Sequence, residues 1–345
     1  MAEIEIIPDS IQLIKMSDEE YFSPKYADYI SNSRLKLINP EEGGSEEAYA
    51  NGLKSKYSDS FELGSAVHAI LLQPEYFEIA PVKKPTSKLG LFADKAYDLM
   101  KSGSSKEDAI SKASLSADYY ANKLTDKRLS AALEACEPYW KEREEFESQL
   151  TSDKVQIYLS TSMEYKYKQC VSSLASNTKL MKTLNPDYLL SPPEIYNEYA
   201  IFAEVYVIDG DKKTRLKIKG KLDNFTIDHE TNTITLNDVK TTGKPVSFFM
   251  GNYVKPDYPN SKKVWYDGSF QKFHYHRQMG FYLWMLACYC KNKGIDYQLK
   301  ANMVVVETIP DFNSKVYKVN GKQIKQGLDE FKKLLILVSK WIETQ

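Results

Sequence analysis

The sequence lacks long apolar runs, internal repeats and a large net charge of either sign. No run of about 18 apolar residues occurs, so no transmembrane helix is expected. The start, from Met1 to Ser10, lacks the basic and apolar segments of a signal peptide, and a cytoplasmic location follows. The formal net charge of −1 excludes a chain that binds polyanions through its overall charge. Any binding of nucleic acid must therefore depend on local positive charge.

Cysteine is also scarce, with only four in the chain: Cys136, Cys170, Cys288 and Cys290. Clusters of iron and sulfur are usually held by closely grouped cysteines with two or more residues between neighbours. Cys288 and Cys290 are separated by one residue inside a predicted helix, so they point to different faces. We therefore expect no iron–sulfur cluster, and buried free thiols in a reducing compartment.

The apolar pattern predicts a chain of mixed helices and strands. A period of two from Ile195 to Leu236 predicts three or four antiparallel strands, and residues 250–268 have the composition of a loop. Helix Phe61–Leu72 ends before Pro74, because proline cannot continue a helix. Later elements are expected as a helix over 270–291, a strand over 301–308 and a helix over 323–344. Together they predict an α/β fold around a mixed sheet.

Residues 90–182 are amphipathic, polar and almost wholly helical in pattern. We interpret them as a helical insertion or lobe, which divides the chain into three parts. These are an N-terminal part of the core over 1–89, the insertion over 90–182 and the rest of the core over 183–345.

Two acids and a lysine in the predicted meander carry the candidate chemistry. Asp238 and Lys240 share one strand face, because side chains in a strand repeat every two residues. If the strand that ends at Asp223 pairs beside them, a second carboxylate joins the group. Paired carboxylates can hold Mg²⁺ or Mn²⁺, and a lysine nearby can orient water or stabilise charge on phosphorus. The alternative is a surface salt bridge between Asp238 and Lys240.

A basic ladder leads into Asp223. Arg215, Lys217, Lys219 and Lys221 alternate with Leu216, Ile218 and Gly220, so the four cations should project from one face of a strand. Such a row could contact DNA phosphates without reading bases. A solvated face of the meander explains the same alternation. His274, His276 and Arg277 are further candidates for phosphate contacts, or ordinary surface residues.

Several motifs resemble those of a known superfamily. Asp223 followed by Asp238-Val239-Lys240 resembles the signature of PD-(D/E)XK nucleases, with Leu222 where the family has proline. Three further segments are similar to the exonuclease VIII (RecE-like) and phage exonuclease family. They are Ile30 to Lys36, the Gly64-to-His68 helix followed by Pro74-Glu75, and Tyr275-His276-Arg277-Gln278 with Tyr282. The resemblance covers about 30–80 and 195–310 and leaves the helical block uncovered.

The resemblance implies roles for individual residues. His68, Asp223 and Asp238 would hold the metal with help from the Val239 carbonyl, and Lys240 would position the attacking water. Gln278 and Tyr282 would contact DNA or order the site. Core packing is the alternative for His68 and for Tyr282. Relatives often carry one more glutamate on the strand entering the meander, and Glu198 and Glu204 both remain candidates.

The function that the resemblance implies is a metal-dependent DNA exonuclease acting on duplex ends, in phage-type recombination or replication. A single-strand annealing protein would be its partner, and the host cytoplasm its location if a phage encodes it. The sequence does not predict the oligomeric state, although some members of the family form rings around DNA. The alternatives are a structure-specific or nicking endonuclease, and a DNA-binding module without catalysis.

Overall fold

The computed structural model of the protein describes residues 3–52, 58–119, 125–186, 192–254 and 262–345. The chain forms two compact units. The first combines residues 1–54 with 173–345, and the second is the continuous segment 55–172 that interrupts it. The predicted boundaries at 89/90 and 182/183 differ from this division, because the helix that carries His68 belongs to the second unit.

Eleven strands occur in the described residues. They are β1 (Glu3–Ile6), β2 (Gln12–Lys15), β3 (Phe77–Lys83), β4 (Val155–Leu159), β5 (Glu194–Asp209), β6 (Lys212–Asp228), β7 (Thr233–Thr242), β8 (Asn252–Val254), β9 (Val264–Tyr266), β10 (Gln298–Glu307) and β11 (Ser314–Lys318).

Twelve α-helices accompany these strands in the same described ranges. They are α1 (Asp18–Tyr21), α2 (Asn32–Leu35), α3 (Glu46–Asn51), α4 (Asp59–Leu72), α5 (Ser87–Lys101), α6 (Lys106–Ser116), α7 (Asp126–Ser148), α8 (Thr161–Ser176), α9 (Thr178–Leu184), α10 (Ser269–Lys272), α11 (Tyr275–Asn292) and α12 (Gly321–Thr344). No helix among the described residues is long and apolar enough to cross a membrane.

The first unit is built on a seven-stranded mixed sheet. Its strand order is β1-β5-β6-β7-β10-β11, and β2 also pairs with β5. Strands β5, β6 and β7 form the predicted antiparallel meander, whereas β10 runs parallel to β7. Helices α11 and α12 pack against each other and contact β5, and the rings of Phe281 and Phe331 stack at 3.9 Å. The predicted fold class, α/β with a mixed sheet flanked by helices, is confirmed.

The second unit is mostly helical around its own core. Phe92, Ala93, Cys136 and Trp140 are buried in that core, and the indole nitrogen of Trp140 donates to the Ala93 carbonyl. The expectation that 90–182 is almost wholly helical is wrong at β4, which pairs in parallel with β3. The Val-Gln-Ile-Tyr-Leu sequence of β4 favours a strand, because β-branched and aromatic residues pack well on a pleated surface.

Other elements differ from prediction for local reasons. The expected helix over 270–291 is two helices, because His274 adopts a left-handed conformation with φ of 52° between α10 and α11. The expected loop over 250–268 contains the hairpin β8–β9, and its residues 255–261 lie outside the described residues. The four cysteines are free thiols, and burial raises the pKa of Cys136 to about 12 and those of Cys170 and Cys290 to about 11.

Candidate active site

The candidate site lies at a fork between β6 and β7. Their antiparallel pairing runs from Asp228 and Thr233 to Asn224 and Asn237, where it ends. The next residue on each strand is an acid, Asp223 on β6 and Asp238 on β7. The Val239 amide donates to Asp223 Oδ2 at 2.8 Å, so a carboxylate takes the place of the next backbone bond. The fork therefore opens the sheet at the two predicted acids.

A third acid, Glu198, joins them from β5. The β5–β6 register pairs Asn197 with Asn224 and Tyr199 with Leu222, which sets Glu198 opposite Asp223. Carboxylate oxygens of these two residues lie within 4.8 Å of each other. Glu204, the other sequence candidate, instead forms an ion pair with Arg215. The structure thus brings Glu198, and not Glu204, beside Asp223.

Glu198 has an unusual backbone at this point. Its φ of 56° lies in the left-handed region, which is uncommon for a residue with a side chain. Such strain persists only where surrounding structure enforces it, and it is concentrated at functional sites. The Glu198 carboxylate also lies 3.0 Å from the Lys221 ammonium. No pattern in the sequence signals this conformation.

Lys240 projects into the same group, as its spacing from Asp238 predicts. Its Nζ lies 2.6 Å from Asp238 Oδ2 and 3.8 Å from Asp223 Oδ2, and it donates to the Val239 carbonyl at 3.2 Å. Burial alone would lower the pKa of Lys240, but the carboxylates of Asp238 and Asp223 outweigh burial and raise that pKa above its usual range. The lysine is therefore a firmly protonated ammonium against two acids.

Helix α11 contributes the remaining side chains of the site. Gln278 Nε2 donates to Asp238 Oδ1 at 2.7 Å, so this amide orients the acid. The Tyr282 ring packs against Gly220, where an added Cβ would lie 2.7 Å from the ring, and burial raises the pKa of its hydroxyl. Sequence reasoning quoted Tyr275 in a motif but assigned it no role, and its ring centre lies 5.5 Å from Lys240 Nζ. Its spacing of three from Gln278 on one helix is the signal that was available.

Glu198 and Asp223 place carboxylate oxygens within 4.8 Å of each other, a separation at which two carboxylates could hold a metal ion. Glu198, Asp223 and Asp238 offer carboxylates, which are the donors that Mg²⁺ and Mn²⁺ prefer. Asp238 is almost fully buried and its pair with Lys240 supplies partial charge compensation. His68 lies on α4 in the second unit and is half-buried. Its proposed role as a ligand stays a prediction.

A chain of four asparagines, three of them buried, runs next to the acids. Asn224 donates to Asn197 at 2.7 Å, Asn237 to Asn224 at 2.7 Å and Asn302 to Asn237 at 2.9 Å, which links β5, β6, β7 and β10. Asn197, Asn224 and Asn237 are the chain neighbours of Glu198, Asp223 and Asp238. A shift of register by one residue would break this chain and separate the acids.

We expect Asn237→Leu to lower the free energy of unfolding by roughly 2–5 kcal/mol, because it leaves several buried amide groups without partners. The Asn237 amide also donates to the Thr183 carbonyl at 3.1 Å. Urea unfolding of the full chain measures the loss. The matched control is Asn292→Leu, which removes one exposed bond to the Pro8 carbonyl and should change stability by about 1 kcal/mol or less. Equal losses in both variants would contradict a special role for the asparagine chain.

The four cations of the predicted basic ladder contact other groups of the protein. Arg215 pairs with Glu204, Lys217 lies 2.7 Å from Asp28, and Lys221 contacts Asp18 and Glu198. Lys219 is buried, donates to the Tyr21 carbonyl at 2.8 Å and lies over the Tyr21 ring. Burial lowers the pKa of Lys219. Arg215 and Lys217 keep exposed side chains, and phosphate contact by the ladder stays a prediction.

A buried ion network fixes the start of α11. Arg277 is 1% exposed and pairs with Glu330 at 2.8 Å and with Glu42 at 2.5 Å. His274 and His276 each place a ring nitrogen 2.7 Å from Glu330, whose pKa falls to about 2: these partners overcome burial, which would raise it. The interpretation of Arg277 and His276 as surface residues is therefore wrong. The network instead anchors the turn that carries Tyr275 and Gln278.

Comparison with known proteins gives limited likeness. No family model and no curated protein sequence matches the chain. A solved structure from Eubacterium rectale, provisionally named an exonuclease, has 11% identity and a TM-score of 0.49 and covers 95% of this chain and 86% of that one.

Two further structures are more distant. Protein VC1899 from Vibrio cholerae has 13% identity and a TM-score of 0.16, with 87% of this chain and 60% of that chain covered. Rai1 from Scheffersomyces stipitis, solved with 3′-NADP⁺ and a calcium ion, has 10% identity and a TM-score of 0.22, with 100% and 85% covered. Sequence identities and TM-scores this low do not indicate a function for this chain.

Proposed function

We propose that the chain is a metal-dependent nuclease that hydrolyses phosphodiester bonds of DNA. One observation carries the proposal: Asp223 and Asp238 flank the fork between β6 and β7, with Glu198 opposite Asp223 and the Lys240 ammonium 2.6 Å from Asp238. A binding module or a structural protein has no need of clustered acids beside a half-buried lysine. Acids gathered at one opening in a sheet beside a lysine whose pKa is raised are typical of catalytic sites.

Each side chain has a chemical task in this proposal. Glu198, Asp223 and Asp238 would hold Mg²⁺ or Mn²⁺, with the Val239 carbonyl and His68 as further ligands. When bound, the cation supplies Lewis acidity toward a phosphate oxygen and an acidified water. The Lys240 ammonium orients the attacking water and stabilises negative charge on the oxygens of the phosphorane-like transition state. Gln278 holds Asp238 in position through its amide.

Exonuclease action at duplex ends, in phage-type recombination or replication, is the more specific form of the proposal. It rests on the motifs shared with the exonuclease VIII and phage exonuclease family, which also suggest a single-strand annealing protein as partner. A structure-specific or nicking endonuclease would use the same site. A DNA-binding module without catalysis is disfavoured by the intact group of Asp223, Asp238 and Lys240.

Incubation of the full chain with linear and with covalently closed circular duplex separates these functions. We expect degradation of the linear DNA with Mg²⁺ or Mn²⁺, no degradation with EDTA, and intact closed circles. Cutting of closed circles would favour the endonuclease. Binding to DNA without any cleavage in either metal would contradict the nuclease proposal and favour the binding module.

A further inference from the structure

Exposed aromatic side chains are concentrated around the hairpin β8–β9. All three residues of β9, Val264, Trp265 and Tyr266, are exposed, and Tyr253 on β8 is 61% exposed. Phe273, just after α10, is also exposed. Exposed apolar side chains that are scattered singly are normal on a protein surface, but a contiguous group of them usually marks an interaction site.

The Trp265 ring is held in a fixed position. The register pairs Tyr253 with Trp265, whose rings meet edge to face at 5.0 Å. The indole nitrogen donates to Asp267 at 2.8 Å. Gly251, at φ of 94°, lies against the ring, and a Cβ there would come within 2.3 Å of it. Only glycine leaves room for this arrangement, so Trp265 is a preformed flat surface that still faces solvent.

The charge around these rings is positive. Between 244 and 273 the described residues include Lys244, Lys262, Lys263 and Lys272, all exposed, and a single acid, Asp267. Asp267 is already engaged by Trp265. Cores of protein–protein interfaces are depleted in lysine, whereas rings interleaved with lysines suit a polyanion with flat bases.

One of these exposed rings, that of Phe273, lies next to the candidate active site. The Phe273 ring lies 5.9 Å from the Tyr275 ring, and Tyr275 lies 5.5 Å from Lys240 Nζ. Phe249, which precedes β8 by three residues, stacks on Tyr275 at 5.8 Å, and its carbonyl accepts a backbone bond from Phe270. Phe273 and Phe249, on either side of the hairpin in sequence, therefore both contact the ring that neighbours Lys240.

We propose that the hairpin β8–β9 and Phe273 form a stacking platform for unpaired nucleobases. Tyr253, Trp265, Tyr266 and Phe273 would stack on the bases of single-stranded nucleic acid, and Lys262, Lys263 and Lys272 would neutralise its phosphates. Stacking tolerates any base, so the platform binds single strands without reading sequence. This inference rests on the proposed nuclease function for its meaning, but its test is independent of cleavage.

The test is binding of a fluorescent oligo-dT to the full chain in EDTA, followed by anisotropy. The double variant Tyr253→Ala/Trp265→Ala should weaken binding by about tenfold or more, because the loss of each stacked ring alone lowers the affinity by nearly that factor. Trp265→Phe should retain most of the affinity. Tyr165→Ala, an equally exposed tyrosine on α8, is the matched control and should bind like wild type.

Charge and stacking can be separated by salt. Lys262→Gln/Lys263→Gln/Lys272→Gln should reduce the slope of log affinity against log salt by about two units, whereas the aromatic variants leave the slope unchanged. Tyr266→Ala serves if the double variant melts early. Equal affinities for wild type and all platform variants would overturn the proposal and leave the patch as a protein interface. If binding depends on the platform residues but no Mg²⁺-dependent cleavage occurs, the platform proposal is supported and the proposed nuclease function is contradicted.

Discussion

Asp238→Asn and Lys240→Ala are each expected to reduce Mg²⁺-dependent DNA hydrolysis by roughly 10³-fold or more, to below detection. Asp238→Asn removes a charged oxygen ligand, and Lys240→Ala removes the cation that faces the reacting phosphate. Both variants should fold. In Asp238→Asn, Lys240 still has the Asp223 carboxylate 3.8 Å away. Lys240→Ala only removes a side chain at the open fork. Steady-state cleavage of linear duplex, with circular dichroism as the check on folding, gives the result.

A matched pair of glutamates sharpens this test. Glu198→Gln should lose most activity and weaken binding of Mg²⁺ or Mn²⁺ in calorimetry, because Glu198 faces Asp223. Glu204→Gln, on the same strand but paired with Arg215, should retain activity. The same titration tests His68→Ala, which should also bind the metal more weakly. Wild-type cleavage in Asp238→Asn or Lys240→Ala would end the assignment of the site.

Arg277→Met is expected to lower the free energy of unfolding by about 3–5 kcal/mol, because it leaves the carboxylates of Glu42 and Glu330 without their buried partner. The Arg277 side chain also donates to Asn32 at 2.9 Å, so the change loosens α2, α11 and α12 together. Arg215→Met is the control, since it breaks an exposed pair and should lose about 1 kcal/mol or less. Urea unfolding at neutral pH compares the two.

The pH dependence gives this prediction a sign. Burial would raise the pKa values of Glu330 and Glu42, yet their partners lower that of Glu330 to about 2 and also lower that of Glu42. A lowered carboxyl pKa stabilises the fold above the ordinary value of 4.5, and this stability is lost as pH falls from about 4.5 toward 2. In Arg277→Met the loss over this window should shrink, with His274 and His276 still supporting Glu330. An unchanged pH profile would contradict the network.

Local periodicity predicted the parts of the site that lie on one strand. Asp238 and Lys240 share a face because strand geometry requires it, and the meander followed from its alternating pattern. Glu198 could not be chosen over Glu204, because the choice depends on the register between β5 and β6 and on one left-handed residue. Arg277 was misjudged because its partners Glu42 and Glu330 are remote in sequence.

Strands with distant partners were missed for the same reason. β1 and β2 have four residues each and, within the described part of the chain, pair with β5, so their own sequences carry little signal. β11 is similarly short and pairs with β10 across a turn. The break at His274 divides a continuous apolar pattern, which by itself predicts one helix.

The interrupted layout of the first unit affects the order in which the two units can fold during synthesis. Glu3 on β1 pairs with Ile208 on β5, so roughly 200 residues separate the two ends of one strand pair. At about 5–20 residues per second, the first strand leaves the ribosome about 10–40 s before its partner exists. The continuous segment 55–172 has its own buried core and is complete in between. The second unit can therefore fold first, while the N-terminal strands still have unpaired edges, which are prone to pair with other chains.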